Sequence, residues 1–130
     1  MQFNHVANRL DAKHFETIVE LFIQQLGFVE LRRTERAIWM RQPGANIDLQ
    51  FSRSPETRRD DDKLRSQVSF LSLTPQQALE DLAAWLKQRG LEANVRAYSD
   101  REFYLDVPEA LVDFVIEAMR PELADYPVKV

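Results

Sequence analysis

The feature of this sequence that most constrains its fold is a weak internal repeat. When the chain is shifted against itself so that Gly27 aligns with Gly90, Phe28 aligns with Leu91. Apolar residues that precede the two glycines coincide as well, with Val19 on Leu82. Self-similarity at a fixed offset indicates two copies of one supersecondary unit. The repeat therefore predicts two similar modules within one domain.

Each module is predicted to contain one helix that ends at the aligned glycine. Apolar residues recur at steps of three and four over 12–26 and again over 75–89, which is typical of amphipathic helices. Gly27 and Gly90 follow these segments at the position where a left-handed glycine commonly ends a helix. The two helices are the firmest local predictions that the sequence supports.

The starts of both helices carry capping residues. Asp11 is a candidate N-cap for the first helix. For the second helix Thr74 is a candidate N-cap, Pro75 a candidate first residue and Gln77 the partner in a capping box. His14 falls in the first turn of the first helix, where we expect it to be exposed.

Strand-like segments surround both helices. Polar and apolar residues alternate strictly over 46–51, as in a strand with one buried face. Each half then has the order strand, helix, further strands. The predicted strands are, in chain order, 2–7, 29–33, 37–41, 46–52, 67–73, 92–98 and 102–105.

The C-terminal third has two interpretations. Residues 108–120 form a helix that begins at Pro108, or residues 111–117 form a strand rich in β-branched side chains. The repeat favours the strand, because 46–52 is its counterpart in the first half. A single domain over 1–130 then divides into module 1 (2–53), a charged and exposed linker (54–65), module 2 (66–120) and a tail (121–130).

Composition limits the partners of the chain. The net charge of −4 and the pI near 5.2 argue against a nucleic-acid-binding surface, which normally carries a basic excess. The absence of cysteine excludes disulfides and thiolate chemistry. No apolar run approaches the length of a membrane span, and no signal peptide is visible, so we expect a cytoplasmic protein.

Five segments in order carry a resemblance to a known family. They are His-Val-Ala at 5–7, Leu-Gly-Phe at 26–28, Ile-Asp-Leu at 47–49, Gln-Val-Ser-Phe at 67–70 and Phe-Tyr-Leu-Asp-Val-Pro at 103–108. The set resembles the glyoxalase/bleomycin-resistance (vicinal oxygen chelate) family. That resemblance implies an α+β fold of two tandem βαβββ modules, with a mixed curved sheet and helices packed outside it.

The resemblance also implies positions for a metal. Metal-dependent members of the family place histidine and glutamate ligands on the first and fourth strands of each module. The corresponding residues here are His5, Asp48, Gln67 and Asp113. A divalent ion such as Mn²⁺, Ni²⁺ or Fe²⁺ would be held by one imidazole and two carboxylates. Aspartates replace both glutamates and glutamine replaces the second histidine, which weakens this set.

A ligand pocket between the modules is the other implication. Its candidate residues are Trp39, Gln50, Phe70, Phe103 and Tyr104. Aromatic side chains and a few polar groups are common in small-molecule sites. Aromatic residues equally build the core of a chain of this size, so a core position is the alternative for each of the four aromatic candidates.

These observations favour a small-molecule-binding protein over an enzyme. We expect an aromatic or amphipathic ligand in a cavity between the modules, without metal, and a homodimer. The first alternative is a metal-dependent lyase, isomerase or dioxygenase of the same family. The second is a structural or interaction module. No nucleophile elbow, phosphate-binding loop or catalytic triad is present in the sequence.

Overall fold

The computed structural model describes residues 1–55 and 61–124. Both halves follow the same order of elements. They are β1 (His5–Asp11), α1 (Phe15–Gln24), β2 (Val29–Arg33), β3 (Ala37–Arg41), β4 (Asp48–Ser54), β5 (Gln67–Leu71), α2 (Pro75–Lys87), β6 (Asn94–Ala97), β7 (Glu102–Asp106) and β8 (Val115–Met119). Short 3₁₀ helices lie at Asp61–Arg65 and Pro121–Ala124.

The strands form two mixed sheets of the same topology. Their orders are β1-β4-β3-β2 and β5-β8-β7-β6, with β1 parallel to β4, β5 parallel to β8 and the other neighbours antiparallel. Each module is thus a βαβββ unit, and the predicted α+β fold of two tandem modules is confirmed. No helix of the described ranges is long and apolar enough to cross a membrane.

Both helices end shortly before the two aligned glycines, as predicted. Gly27 and Gly90 have φ angles of 73° and 83°, in the left-handed region that residues with a Cβ rarely adopt. The chain therefore reverses direction at equivalent points of the two modules. β2 and β6 can then pair as the outer strands of their own sheets.

Neither helix starts with the side-chain capping bonds that were predicted. Asp11 is the last residue of β1, and its carboxylate accepts a hydrogen bond from the backbone N–H of Lys13 (2.9 Å). The N-cap of α1 is His14, which is partly buried rather than exposed. Thr74 does precede α2, but without a side-chain cap bond, and Gln77 donates to Asp81 one turn along its own helix (2.9 Å).

A shared core joins the modules along a seam. Buried residues of both halves belong to one hydrophobic cluster. At the seam Leu10 forms an isolated bridge with Leu111, and the rings of Phe51 and Phe114 stack with their centroids 5.6 Å apart. Because the apolar faces of the two modules meet here, neither module would bury its core alone.

The C-terminal strand is displaced from its predicted position. Strand β8 covers Val115–Met119 rather than 111–117, and the helical alternative over 108–120 is wrong. Residues 111–114 fill the seam between the modules, so their apolar character reflects burial there and not strand pairing. Asp113 consequently lies before β8 and outside the sheet.

The linker is not uniformly exposed. Residues 56–60 and 125–130 lie outside the described residues, so the middle of the predicted linker and the end of the predicted tail are not described. The Lys63 side chain, which belongs to the 3₁₀ helix Asp61–Arg65, is buried, with 6% of its surface exposed. A buried lysine contradicts a fully solvated linker, and its partners lie in module 2.

Candidate functional site

Each sheet has one face covered by its helix and one face that we call its open face. In module 1 Leu49 and Phe51 point to the core, so Asp48 and Gln50 point to the open face. Register then defines one row of side chains on each open face. The rows are Ala7, Gln50, Trp39 and Arg32 in module 1, and Ser69, Glu117, Tyr104 and Arg96 in module 2.

On the open face of module 1, an arginine of the same sheet neutralises the carboxylate of Asp48. Arg41 Nε donates to Asp48 Oδ1 at 2.6 Å, and this hydrogen bond raises the pKa of the Arg41 guanidinium. Asp48 is opposite His5 in the β1–β4 register. His5 nevertheless contacts its neighbour Asn4, with Nδ1 2.9 Å from the Asn4 amide oxygen. The two residues are adjacent, but each is engaged elsewhere.

The other two predicted metal ligands are also engaged. The Asp113 carboxylate accepts hydrogen bonds from the backbone N–H of Arg9 (3.0 Å) and from its Nε (3.2 Å). Gln67 Nε2 donates to the carbonyl of Leu64 (3.0 Å) and contacts the Tyr98 hydroxyl (3.3 Å). These contacts tie Asp113 to the seam and Gln67 to the 3₁₀ helix before β5.

The four residues therefore do not fit a metal site. In the part of the chain that the structure describes, no group of three or more histidine, aspartate and glutamate side chains is placed to hold an ion. Strand register explains why. His5 stands opposite Asp48, whereas Gln67 stands opposite Val115, which is apolar and fully buried. Module 2 thus lacks a carboxylate at the position equivalent to Asp48.

The open face of module 2 has its own polar cluster. Ser69 Oγ donates to Glu117 Oε1 at 2.7 Å. The rings of Tyr98 and Tyr104 lie with centroids 4.6 Å apart. Burial raises the pKa of the Tyr98 hydroxyl, and the hydrogen bond with Gln67 partly offsets that effect. This face presents aromatic surface beside a carboxylate.

The 3₁₀ helix Asp61–Arg65 lies against this same face. Lys63 Nζ donates to the carbonyl of Leu111 (2.7 Å) and forms an ion pair with Asp106 Oδ1 (2.7 Å). That oxygen accepts no hydrogen bond of good angle within the described residues, so the contact with Lys63 is essentially electrostatic. The Leu64 carbonyl accepts from the Tyr98 hydroxyl. No pattern in the sequence distinguished Lys63 from its charged neighbours.

A cavity of about 300 Å³, which we call the junction cleft, lies between the modules. Its wall on the module 1 side includes Val6, Phe28 and Leu49, and the four consecutive residues 67–70 of β5 complete it. Because consecutive strand residues point to opposite faces, a cavity lined by all four lies along the edge of the strand. That edge is unpaired within its own sheet, since β5 is the terminal strand.

The polar groups of the junction cleft are few and uncharged. The polar lining residues are Gln42, Gln67 and Ser69, whose side chains also bond the Leu26 carbonyl, the Leu64 carbonyl and Glu117. A mostly apolar cavity with a small number of polar groups is the usual form of a small-molecule site. Sequence reasoning missed Gln42 and Ser69. The turn signal at Pro43-Gly44 directly after Gln42 was the available clue to the loop that lines the cleft.

The predicted pocket residues are divided among three places. Phe70 lines the junction cleft. Trp39, Gln50 and Tyr104 lie on the open faces, where the Arg32 guanidinium covers the Trp39 ring at 5.0 Å. Phe103 belongs to the core and also lines a cavity at the start of α2. The structure thus brings Gln67 and Phe70 together and leaves the other candidates outside the cleft.

Comparison with known proteins gives structural matches alone. No family model matches the chain, and no curated protein matches it. The matching structures include a protein from Bacillus halodurans, provisionally described as a glyoxalase, with 17% identity, a TM-score of 0.60 and coverage of 92% of this chain and 96% of that one. The trypanothione-dependent glyoxalase I of Leishmania major matches with 10% identity, a TM-score of 0.59 and coverage of 95% and 89%.

A third match has no enzyme name. It is TnmS3, an antibiotic binding protein from a Streptomyces species, with 15% identity, a TM-score of 0.56 and coverage of 93% of this chain and 96% of that one. All three matches extend over nearly the whole of both chains. At these identities the likeness establishes the fold, and the chain has the glyoxalase-like fold that its sequence predicts.

Proposed function

We propose that this protein binds a small aromatic or amphipathic molecule in the junction cleft and does so without a metal ion. The observation that carries the proposal is the cleft itself. Its walls are mainly apolar side chains of both modules, and Gln42, Gln67 and Ser69 supply its polar groups. Burial of apolar ligand surface supplies most of the affinity in such a site, and the polar groups fix the orientation.

The charge of the cleft favours an uncharged ligand. Two amides and one hydroxyl offer hydrogen bonds but no compensating charge. A charged group that entered the cleft would lose its hydration without gaining an ion pair, which is costly. A phenol, an alcohol or a carbonyl group is therefore the polar group that we expect on the ligand.

The metal-dependent alternative has less support from the contacts. Asp48 would have to release Arg41, and Asp113 would have to release Arg9 and leave the seam, before either carboxylate met a metal. The same fold is used by a glyoxalase I and by an antibiotic binding protein among the structural matches. A fold does not determine function, so the side chains of this chain decide between the two.

Charge on the open faces supports a homodimer. Arg32 is a cation of the open face of module 1, where Arg41 is paired with Asp48, whereas Glu102 and Glu117 outnumber Arg96 on the open face of module 2. Faces of opposite charge attract, and in a two-fold dimer each would meet the other twice. Light scattering at low salt should give the mass of a dimer that dissociates as salt is raised. A monomer at every salt concentration would contradict the dimer.

The binding proposal is tested with 4-ethylphenol, which is neutral at pH 7. Calorimetric titration should show one bound molecule per chain. Ala45→Trp, which places an indole at the cleft wall, should weaken binding at least about tenfold, because it removes the space for the ring.

The control is Ala97→Trp, which adds the same side chain to an exposed position of β6 outside the cleft. This variant should bind as the original protein does. Equal affinity of both variants and the original protein would show that the ligand does not occupy the junction cleft, and absence of any binding would refute the proposal.

A further inference from the structure

A second cavity continues the junction cleft along the same strand. This cavity, which we call the helix groove, has a volume of about 420 Å³ and lies between the end of α1 and the side of α2 that carries Ala78, Leu79 and Leu82. Its apolar wall includes Leu26, Leu79 and Leu82. Residues 67–70 of β5 line the junction cleft and residues 70–72 line the helix groove.

Two side chains separate the cavities, because Gln42 and Phe70 line both of them. Gln42 Nε2 donates to the carbonyl of Leu26 at 2.9 Å and so holds the amide between the loop after β3 and the end of α1. The Phe70 ring packs edge-on against Phe28, with centroids 6.1 Å apart. We call this pair the partition.

The path past the partition is straight. From residue 67 to residue 72 an extended chain covers roughly 16 Å, at about 3.3 Å per residue. An aromatic ring with an unbranched chain of several carbons has a comparable length. The far end of the groove also carries polar side chains, including Gln25 and Asp81, so the tip of a chain that passed the partition would lie close to water.

We infer that the ligand is elongated, with an uncharged ring in the junction cleft and an unbranched alkyl tail directed at the helix groove, and that Phe70 and Gln42 set the tail length. The inference rests on the proposed function, since the ring must first bind in the cleft. Once the partition is open, the leucine side chains of the groove suit a longer alkyl tail, because they offer apolar contact and no polar partner. Phe70 is thus a specificity-determining residue for ligand length.

The test is a series of 4-alkylphenols from ethyl to octyl. In the original protein, affinity should rise about threefold for each of the first methylenes, which is the gain for a largely buried methylene. The rise should stop when the tail reaches the partition. In Phe70→Ala the rise should continue to the octyl compound, because the two cavities become one.

Two further variants keep this test decisive. Gln42→Ala opens the partition from the loop and removes no core side chain, so it should also extend the rise if Phe70→Ala does not fold. Ala78→Trp places an indole in the helix groove. When it is combined with Phe70→Ala or with Gln42→Ala, the affinity should again stop rising at the chain length seen in the original protein.

The outcomes separate this inference from the proposed function. Failure of 4-ethylphenol to bind overturns both. If 4-ethylphenol binds but the dependence on chain length is the same in the original protein and in the open variants, the inference about length is overturned and the junction cleft remains the binding site. The same holds if Ala78→Trp has no effect.

Discussion

The open faces of the two modules share one topology but hold their charges differently. In module 1, Asp48 stands opposite His5 and is paired with Arg41 of the same sheet. In module 2, the residue at the equivalent position is Val115, and the carboxylate Asp106 is paired with Lys63 from outside the sheet. In the first pair the cation is half exposed and the carboxylate buried, whereas in the second the cation is buried and the carboxylate mostly covered.

The difference shows that one topology can hold the carboxylates of its open faces in two ways. Each carboxylate has its own cation at hydrogen-bonding or ion-pair distance, so the carboxylates of the two faces do not converge. A guanidinium within the sheet satisfies the first, and an ammonium from the linker satisfies the second. The fold depends on the apolar faces and the glycine turns, which both modules keep, and not on the residues of the open faces.

The largest effect is expected from Lys63→Met. Removal of the ammonium leaves the Asp106 carboxylate and the Leu111 carbonyl without their buried partner. Loss of one member of a buried pair commonly costs about 3 kcal/mol or more of unfolding free energy, because the remaining charge is uncompensated. Urea denaturation should show a loss of that order.

The matched double variant Lys63→Met with Asp106→Leu should recover part of that stability, since no buried charge remains. If the single variant loses less than about 1 kcal/mol of unfolding free energy, the contact of Lys63 with Asp106 stabilises the fold no more than an exposed ion pair does. Module 2 would then not depend on its ion pair more strongly than module 1 does.

A smaller effect is expected from Arg41→Met in module 1. The Arg41 side chain is 46% exposed, so water screens its attraction for Asp48 and replaces the lost hydrogen bond in part. We expect a smaller loss than that of Lys63→Met in the same urea titration. A loss equal to that of Lys63→Met would show that the two faces depend on their ion pairs to the same degree.

The smallest effect is a pH dependence confined to module 2. Burial raises the pKa of Tyr98 above its ordinary value of 10.0, so the folded protein holds this proton more tightly than the unfolded chain. The resulting stability is complete below pH 10 and is lost as the pH rises through the folded pKa. Ultraviolet titration of tyrosinate should show one tyrosine ionising late, and Tyr98→Phe should remove that late phase. Ionisation of all tyrosines in their ordinary range would contradict the raised pKa of Tyr98.

The sequence predicted the fold well where a feature depends only on residues that are close together in the chain. Gly27 and Gly90 end the helices for a conformational reason that is independent of the rest of the chain. The alternation at 46–51 predicted which side of β4 faces the core, and Leu49 and Phe51 are buried. These features require only a helix or a strand with one apolar side.

Long-range contacts explain what the sequence did not predict. The repeat has no single spacing, because the offset from Asp48 to its structural equivalent Val115 is longer than the offset from His5 to Gln67. This drift is why the sequence pattern aligns Asp113 with Asp48. The burial of Lys63 depends on partners in β7 and at the seam, far along the chain, and no local pattern reports such partners.

The part of the candidate site that the sequence predicted is its position between the modules. Gln67 and Phe70 were among the predicted residues and line the junction cleft. Gln42 and Ser69 were not, because a glutamine before a turn and a serine in a strand are common in surface positions. Their role follows from the placement of β5 beside the apolar wall of module 1.

The central claim is that the junction cleft binds its ligand without a metal ion. The most direct test is calorimetric titration of 4-ethylphenol in EDTA and again with one equivalent of Mn²⁺, Ni²⁺ or Fe²⁺. The account predicts one bound molecule per chain and the same Kd in all four conditions. Binding that appears only when a metal is present would contradict it.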